Sequence, residues 1–181
     1  MTATNAWRFQ IRAIPHTGKE VKLEVGWEWF APWVEDDPAL GFAVQALKGD
    51  ITLARHAQEV LVRGHLQAQL ELTCSRCLKI FVQPAAADFD LLLAPAPGPA
   101  GPAEEELSAA DLDQDYYTGD TLDLEPIIRE QVVLLAPAKP LCAEACRGLC
   151  PRCGVDLNEA ACGCRESAGE SPLAALAKLK V

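Results

Sequence analysis

Apolar and polar residues alternate along much of the first half of the chain, most regularly between residues 65 and 73. Every second residue from Leu66 to Leu72 is apolar, and each residue between them is Gln or Glu. Successive side chains of a β-strand point to opposite faces, so this pattern predicts a strand over His65–Thr73 with one buried face. Shorter apolar stretches predict an antiparallel meander with further strands at Phe42–Leu47, Ile51–Arg55, Lys79–Val82 and Phe89–Leu93.

The turns and edges of this meander are also suggested by the sequence. Gly49 and Asp50 form a dipeptide typical of a tight turn between two strands. A strand over Trp7–Ile14 is expected to pair with the same sheet. Three aromatic side chains are expected to cover a core edge rather than line a ligand groove: Trp27, Trp29 and Trp33.

Helical spacing replaces alternation in the second half of the chain. Asp123 is a residue type that caps helices, and Glu125 and Pro126 are typical of a first helical turn. The apolar residues that follow would form one stripe: Leu124, Ile127, Ile128, Val132 and Leu135. We therefore expect a helix that packs on the sheet and ends before Pro137.

A change of composition separates these two parts. Residues 94–103 read APAPGPAGPA, which disfavours strand and helix because proline lacks an amide hydrogen and glycine adds backbone entropy. The acidic stretch that follows is expected to be solvated, with recruitment of a basic partner as the alternative. The predicted segments are a β domain with a cysteine hairpin (1–93), a linker (94–115), a strand and helix that complete the domain (116–140), a cysteine-rich zinc region (141–165) and a short C-terminal helix (166–181).

The expected fold class is therefore α+β. It combines an antiparallel β-meander or partial barrel, one packing helix and a C-terminal four-cysteine metal region.

Charge limits the partners that the chain can bind. Its 181 residues carry a net charge of -10, and residues 101–140 hold ten acidic residues against two basic ones. Such acidity opposes tight binding to bare nucleic acid except through a local basic cluster. The candidates for RNA or partner contact are three arginines among the C-terminal cysteines: Arg147, Arg152 and Arg165.

The N-terminal residues predict the compartment. Residues 1–14 include Arg8 and Arg12 and contain no continuous apolar run. We therefore expect no signal peptide, no membrane association and a cytoplasmic protein.

Eight cysteines form four close pairs: Cys74-x2-Cys77, Cys142-x3-Cys146, Cys150-x2-Cys153 and Cys162-x-Cys164. In a reducing cytoplasm, pairs at this spacing are typical of metal ligands rather than disulfides. Eight thiolates fill two tetrahedral zinc sites, so two zinc ions are expected. Iron in a rubredoxin-like site is the alternative.

The positions of the pairs suggest how the two sites divide. The first pair lies between two predicted strands and should form the tip of a β-hairpin. The last two pairs already supply four ligands within residues 150–164. Cys142 and Cys146 are then left to join Cys74 and Cys77, although an interleaved cross-brace pairing is an open alternative.

The sequence offers no recognisable active site. It contains three histidines, no phosphate-binding glycine loop and no nucleophile motif. A catalytic zinc keeps one position open for water, whereas two closed sites use all eight cysteines. We therefore expect a non-enzymatic protein without a small-molecule substrate. A cysteine-based redox or iron-thiolate protein is the main alternative, and an RNA-processing enzyme is a third.

The cysteine segments resemble those of a known family. Residues 140–164 contain, in order, P-L-C, C-R-G-L-C-P-R-C-G, L-N and C-G-C, which closely resembles the C-terminal signature of the YceD family. Residues 74–78, C-S-R-C-L, are similar to the other cysteine pair of that family. The resemblance covers about residues 40 to 165 and includes the acidic-apolar segment Gly119–Leu124 and the helix that follows.

The YceD family comprises the large ribosomal RNA subunit accumulation proteins. The resemblance implies a role in making or preserving large-subunit ribosomal RNA during ribosome assembly. It also implies that the four cysteine pairs are metal ligands, and it supplies no catalytic residue. The expected partner is a large-subunit ribosomal RNA precursor or a ribosomal protein.

Overall fold

A computed structural model describes residues 7–36, 40–97 and 114–164 of the chain. The strands are β1 (Arg8–Gln10), β2 (Lys19–Gly26), β3 (Phe42–His56), β4 (Glu59–Thr73), β5 (Ile80–Pro95), β6 (Gln114–Tyr117) and β7 (Thr121–Asp123). The helices are a 3-10 turn (Ile11–Ala13), α1 (Trp27–Asp36) and α2 (Leu124–Leu135).

One open sheet dominates the fold, with strand order β2-β3-β4-β5-β6. Strands β3, β4 and β5 form the predicted antiparallel meander. Strand β2, which was not predicted, extends it on one side, and β6 joins β5 in parallel on the other. A separate two-stranded antiparallel sheet pairs β1 with β7. The predicted α+β class is confirmed, and the sheet stays open rather than closing into a barrel.

The alternation of the sequence determines which face of the sheet is buried. From Leu66 to Leu72 every apolar side chain is at most 3% exposed. The opposite face carries ion pairs between neighbouring strands, such as Lys48 with Glu24 and Arg63 with Asp90. Both helices pack on the sheet, α1 against β2 and β3 and α2 against β4 and β5.

The turn predicted at Gly49 and Asp50 is wrong, because both residues lie inside the continuous strand β3. Gly49 is needed there for a packing reason: a Cβ atom at this position would lie 2.6 Å from Cδ2 of Leu66. The chain reverses instead at Ala57 and Gln58, where Ala57 has a φ of 55°. Likewise, the two short strands predicted after the cysteine hairpin are one strand, β5.

The predicted strand over Trp7–Ile14 is also different in the structure. Only β1 is extended, and it pairs with β7 rather than with the meander. The 3-10 turn that follows directs Ile11 and Ile14 into the core, where both are buried.

A second helix, α1, was not predicted, because its three tryptophans and internal Pro32 are not typical of a helix. Trp33 is 5% exposed, and Trp29 contacts both Trp33 and Trp7. Trp29 and Trp33 pack against the core, as expected, whereas Trp27 is 43% exposed.

Helix α2 follows the prediction closely. The side chain of Asp123 accepts a hydrogen bond of 3.0 Å from the backbone N–H of Glu125 and so caps the helix. Leu124, Ile128 and Val132 are each at most 1% exposed. The predicted apolar stripe is therefore the face that packs on the sheet.

The linker begins later than predicted. Ala94 and Pro95 belong to β5 and pair in parallel with Tyr116 and Tyr117. Most of the predicted acidic stretch and the short C-terminal helix lie outside the described residues. Within the described ranges, no helix has the length and apolar character needed to cross a membrane.

Candidate metal centre

The first cysteine pair lies in the turn that joins β4 to β5, as predicted. The backbone N–H of Cys74 donates to the carbonyl of Lys79, and the N–H of Leu78 donates to the carbonyl of Cys74. Leu78 has a φ of 59°, a left-handed conformation that leucine rarely adopts, and its side chain is 63% exposed. This tight turn places the Sγ atoms of Cys74 and Cys77 on the same side.

The segment after α2 brings the second pair to this turn. The backbone N–H of Ser75 donates to the carbonyl of Pro140 at 2.9 Å, which ties the incoming chain to the hairpin. The Sγ atoms of Cys74 and Cys146 are then 3.8 Å apart, and those of Cys77 and Cys142 are 3.6 Å apart. All four sulfurs lie within 4.8 Å of one another.

These distances fit a tetrahedral zinc site. With Zn–S bonds of about 2.3 Å, two sulfurs of a regular tetrahedron are roughly 3.8 Å apart. The two measured S–S distances differ from this value by no more than 0.2 Å. Cys74, Cys77 and Cys146 are buried, so an ion held here would be largely shielded from water.

The second cluster is local and more exposed. It contains Cys150, Cys153, Cys162 and Cys164, whose sulfurs also lie within 4.8 Å of one another. The N–H of Gly154 donates to the carbonyl of Cys150, and Gly154 takes the left-handed conformation without a side-chain penalty. Of the four cysteines, only Cys150 is buried.

The cysteines therefore divide into the two groups that the simpler interpretation of the sequence predicted, and not into the interleaved pairing. We call Cys74, Cys77, Cys142 and Cys146 the first cluster, and Cys150, Cys153, Cys162 and Cys164 the second cluster. That these groups hold metal stays a prediction.

Comparison with known proteins shows the family. The profile of the family described as "Large ribosomal RNA subunit accumulation protein YceD" matches residues 62–180, about two thirds of the chain. The chain belongs to the YceD family. The match begins later than the resemblance suggested and extends further towards the C-terminus. It includes all eight cysteines.

Relatives from mycobacteria add sequence similarity but no function. Uncharacterised proteins of Mycobacterium bovis and Mycobacterium tuberculosis are 32% identical to this YceD chain over 108 residues, which is 60% of the chain. That region spans half the length of each relative. No solved structure matches the chain.

In the first cluster, close packing of thiols separates their pKa values. Backbone N–H groups of Cys142 and Cys77 lower the pKa of Cys74 to about 6. The thiol of Cys77 and burial raise the pKa of Cys142 to about 12. The N–H of Lys79 favours the Cys77 thiolate, but burial and neighbouring sulfurs outweigh it and raise the pKa of Cys77. The Cys74 thiolate is thus stabilised, while the raised pKa values of Cys77 and Cys142 keep those two thiols protonated.

The second cluster repeats this arrangement. Backbone N–H groups of Cys153 and Arg152 lower the pKa of Cys150 to about 6. The thiol of Cys153 and burial raise the pKa of Cys164 to about 12. The N–H of Cys164 favours the Cys162 thiolate, but the Cys150 sulfur and burial outweigh it and raise the pKa of Cys162. A divalent cation would replace these protons, because four thiolates so close together need a positive charge between them.

Of the three arginines that the sequence singled out, two are exposed: Arg147, which directly follows Cys146 of the first cluster, and Arg152, which directly precedes Cys153 of the second. Arg165 lies outside the described residues. Sequence reasoning missed Arg76, whose guanidinium donates to the carbonyl of Cys146 at 2.7 Å. It also missed Asn158, whose side-chain amide lies 3.4 Å from Sγ of Cys146. The only available signal was that both residues fall inside the family motifs.

Gly148 tests how closely the two cysteine loops are packed. A Cβ atom there would lie 2.9 Å from the carbonyl oxygen of Arg76, and the φ of Gly148 is 75°. Gly148→Ala is expected to lower the free energy of unfolding by about 2–4 kcal/mol, through left-handed strain and overpacking. Urea unfolding measures this effect.

Gly119 is the matched control for this substitution. Its φ is 76°, but nothing lies within 4 Å of its added Cβ. Gly119→Ala should therefore cost only the backbone strain, about 1–2 kcal/mol. Equal losses in the two variants would show that the contact between Gly148 and Arg76 contributes nothing.

Proposed function

We propose that this YceD protein is a non-enzymatic, zinc-binding factor of large ribosomal subunit biogenesis that acts in the cytoplasm. It would support the accumulation of large-subunit ribosomal RNA by binding a ribosomal protein or a ribosomal RNA precursor. The observation that carries the proposal is the pair of four-cysteine clusters within the residues that the family profile matches. The family description supplies the link to the large subunit.

The cluster geometry favours structural zinc over catalytic zinc. Each cluster offers four sulfurs, the full tetrahedral set, so a bound zinc ion would keep no position for a reactive water. The first cluster would join the end of the sheet to the segment after α2. The second would give a compact shape to a loop with little regular secondary structure. Zinc at these sites would stabilise a binding surface.

The charge of the chain favours a basic protein partner. A net charge of -10 attracts ribosomal proteins and repels the phosphate backbone of RNA. The exposed arginines Arg147 and Arg152 are the described residues of the C-terminal loops that would contact RNA if the partner is an RNA precursor. An RNA partner and a protein partner should therefore respond differently when these arginines are replaced.

Co-sedimentation with large-subunit precursors tests the function. The zinc-loaded protein is expected to migrate with precursor particles in a sucrose gradient. In the double variant Cys150→Ser, Cys153→Ser the fraction of protein that migrates with these particles should fall about tenfold or more, because two ligands of the second cluster are removed. Absence of the unmodified protein from every precursor fraction would contradict the proposed function.

Two charge-matched variants, analysed in the same gradients, distinguish an RNA partner from a protein partner. Arg147→Ala with Arg152→Ala removes two positive charges from the cysteine loops. Lys22→Ala with Arg63→Ala removes two from exposed positions on the solvated face of the sheet. Loss of association in the first variant alone would favour contact with RNA. Association retained in both would favour a protein partner bound through acidic surface.

A thiol redox or iron-thiolate protein is the second candidate function. The exposure of Cys153 and Cys164 favours it, because accessible sulfurs are more easily oxidised. Elemental analysis of protein purified without added metal distinguishes the candidates. Two zinc ions per chain would support the ribosomal function, whereas iron with visible absorption would support the redox function.

A further inference from the structure

The turn between β4 and β5, which carries Cys74 and Cys77, holds the loop of the second cluster in place. The carbonyl oxygen of Arg76, which directly precedes Cys77, accepts a hydrogen bond of 3.0 Å from the N–H of Leu149. Leu149 directly precedes Cys150, the most buried cysteine of the second cluster. The backbone between the first two cysteines therefore fixes the start of the loop that builds the second cluster.

Asn158 makes the connection in the opposite direction. It lies between Cys153 and Cys162 in sequence, inside the loop of the second cluster, yet its Nδ2 atom lies 3.4 Å from Sγ of Cys146 in the first cluster. Its Oδ1 atom accepts a hydrogen bond of 2.7 Å from the N–H of Arg147. The loop of the second cluster thus donates a hydrogen bond to a sulfur of the first.

Other hydrogen bonds fix the position of this amide. Asp156 accepts from the backbone N–H of Asn158 at 2.8 Å and from its Nδ2 atom at 2.6 Å. The N–H of Leu157 donates to the carbonyl of Gly148 at 2.9 Å. Since these contacts lie within residues 148–158, the shape of the second loop determines where the amide points.

A hydrogen bond to a metal-bound thiolate stabilises the charge that the sulfur retains and orients the ligand. The amide of Asn158 would have this effect on Cys146. Its position depends on a loop that an ion in the second cluster would hold in shape. Any such dependence is reciprocal, because a linkage between two binding equilibria has the same size in both directions.

We propose that the two clusters bind metal cooperatively through Asn158, which acts as a positioning residue for the first cluster although it belongs to the loop of the second. This inference rests on the proposed zinc binding and deepens it. The buried first cluster retains its ion more tightly, and the exposed second cluster exchanges its ion first. Loss of the second ion then weakens binding of the first.

Competition between the full-length zinc-loaded protein and a chelator, followed with a zinc indicator, tests this proposal. Two release steps are expected, and Cys164→Ser should remove the weaker one. In the same variant the affinity of the first cluster should fall about tenfold, because the loop loses its ion. In an Asn158→Ala background the Cys164→Ser replacement should cause no further loss. Equal first-cluster affinity with and without the second ion would overturn the inference.

Asn158→Asp tests the donor role of the side-chain amide. Aspartate keeps an oxygen that accepts from Arg147 but loses the N–H groups that face Cys146 and Asp156. We expect the first cluster to bind zinc at least tenfold more weakly. We also expect a shifted thiolate charge-transfer band in the cobalt-substituted protein. Unchanged affinity and an unchanged band would overturn the role of the amide.

Gln10→Ala is the control for loss of a side-chain amide, because Gln10 donates to Thr121 in the two-stranded sheet, apart from both clusters. Its zinc release should match that of the unmodified protein. Two ions released independently would overturn this inference alone. A chain that binds no zinc would overturn the proposed function as well, so the two failures are distinguishable.

Discussion

Cys74→Ser is expected to weaken zinc binding at the first cluster by about 2.5–4 kcal/mol, so that one zinc ion per chain is lost on dialysis against a chelator, and to destabilise the sheet domain by a similar amount. A structural zinc site contributes roughly 10–16 kcal/mol of apparent binding free energy, and each of four ligands accounts for about a quarter of it. Cys74 is fully buried at the end of β4. Loss of its thiolate would release the segment after α2 from the hairpin. Elemental analysis and urea unfolding measure the two effects.

Cys164→Ser is the matched control, because it also removes one ligand but lies in the exposed second cluster. It should remove one ion as well, while the sheet loses much less stability. Two results would contradict this prediction. Loss of both ions in each variant would indicate a shared site, and retention of both ions in Cys74→Ser would show that the first cluster is not a zinc site.

Lowering the pH from 7.5 to 6.5 is expected to weaken zinc binding at each cluster at least 100-fold. The pKa values of Cys77 and Cys142 are raised in the first cluster, as are those of Cys162 and Cys164 in the second. Zinc needs all four sulfurs as thiolates, so binding must displace at least two protons per ion. Each displaced proton costs a factor of about ten per pH unit, or roughly 1.4 kcal/mol.

The direction of this effect follows from proton competition. As the pH falls, the proton activity rises and zinc competes less well for the thiols whose pKa values are raised. Zinc affinity therefore decreases, and the stabilisation from each ion falls by about 2.7 kcal/mol per pH unit. Below about pH 6, Cys74 and Cys150 add a third proton to their clusters, because their pKa values are about 6.

Chelator competition at the two pH values, corrected for protonation of the chelator, measures the effect. The number of protons released per zinc ion can also be measured directly, by calorimetry in two buffers of different ionisation enthalpy. A change in affinity smaller than tenfold between pH 7.5 and 6.5 would contradict the prediction, because it would mean that fewer than one proton is displaced per ion.

The two clusters also differ in how their cysteine turns are supported by the rest of the fold. Leu78 and Gly154 both follow the second cysteine of a pair and both have positive φ values. Only the glycine adopts this conformation without strain. The hairpin of the first cluster tolerates the leucine because strands β4 and β5 hold both ends of the turn. The second loop has no such support, which agrees with its greater exposure.

The sequence by itself determined the local features. Alternation of period two predicted the strand that contains Leu66–Leu72, and Asp123 with the apolar stripe after it predicted α2 and its buried face. Close cysteine spacing predicted the half-sites, since two ligands a few residues apart can reach one ion whatever the rest of the chain does. The family motifs were likewise readable without a fold.

The tertiary structure alone decided the features that depend on distant residues. Gly49 resembles a turn residue in isolation, but it is a strand residue because it pairs with Leu23 on one side and Leu66 on the other. The parallel pairing of β5 with β6 and the helix α1 are likewise stabilised by contacts with remote segments. Arg76 and Asn158 carry no local sign of their roles, because a hydrogen bond across 70 or 12 residues is specified by packing and not by spacing.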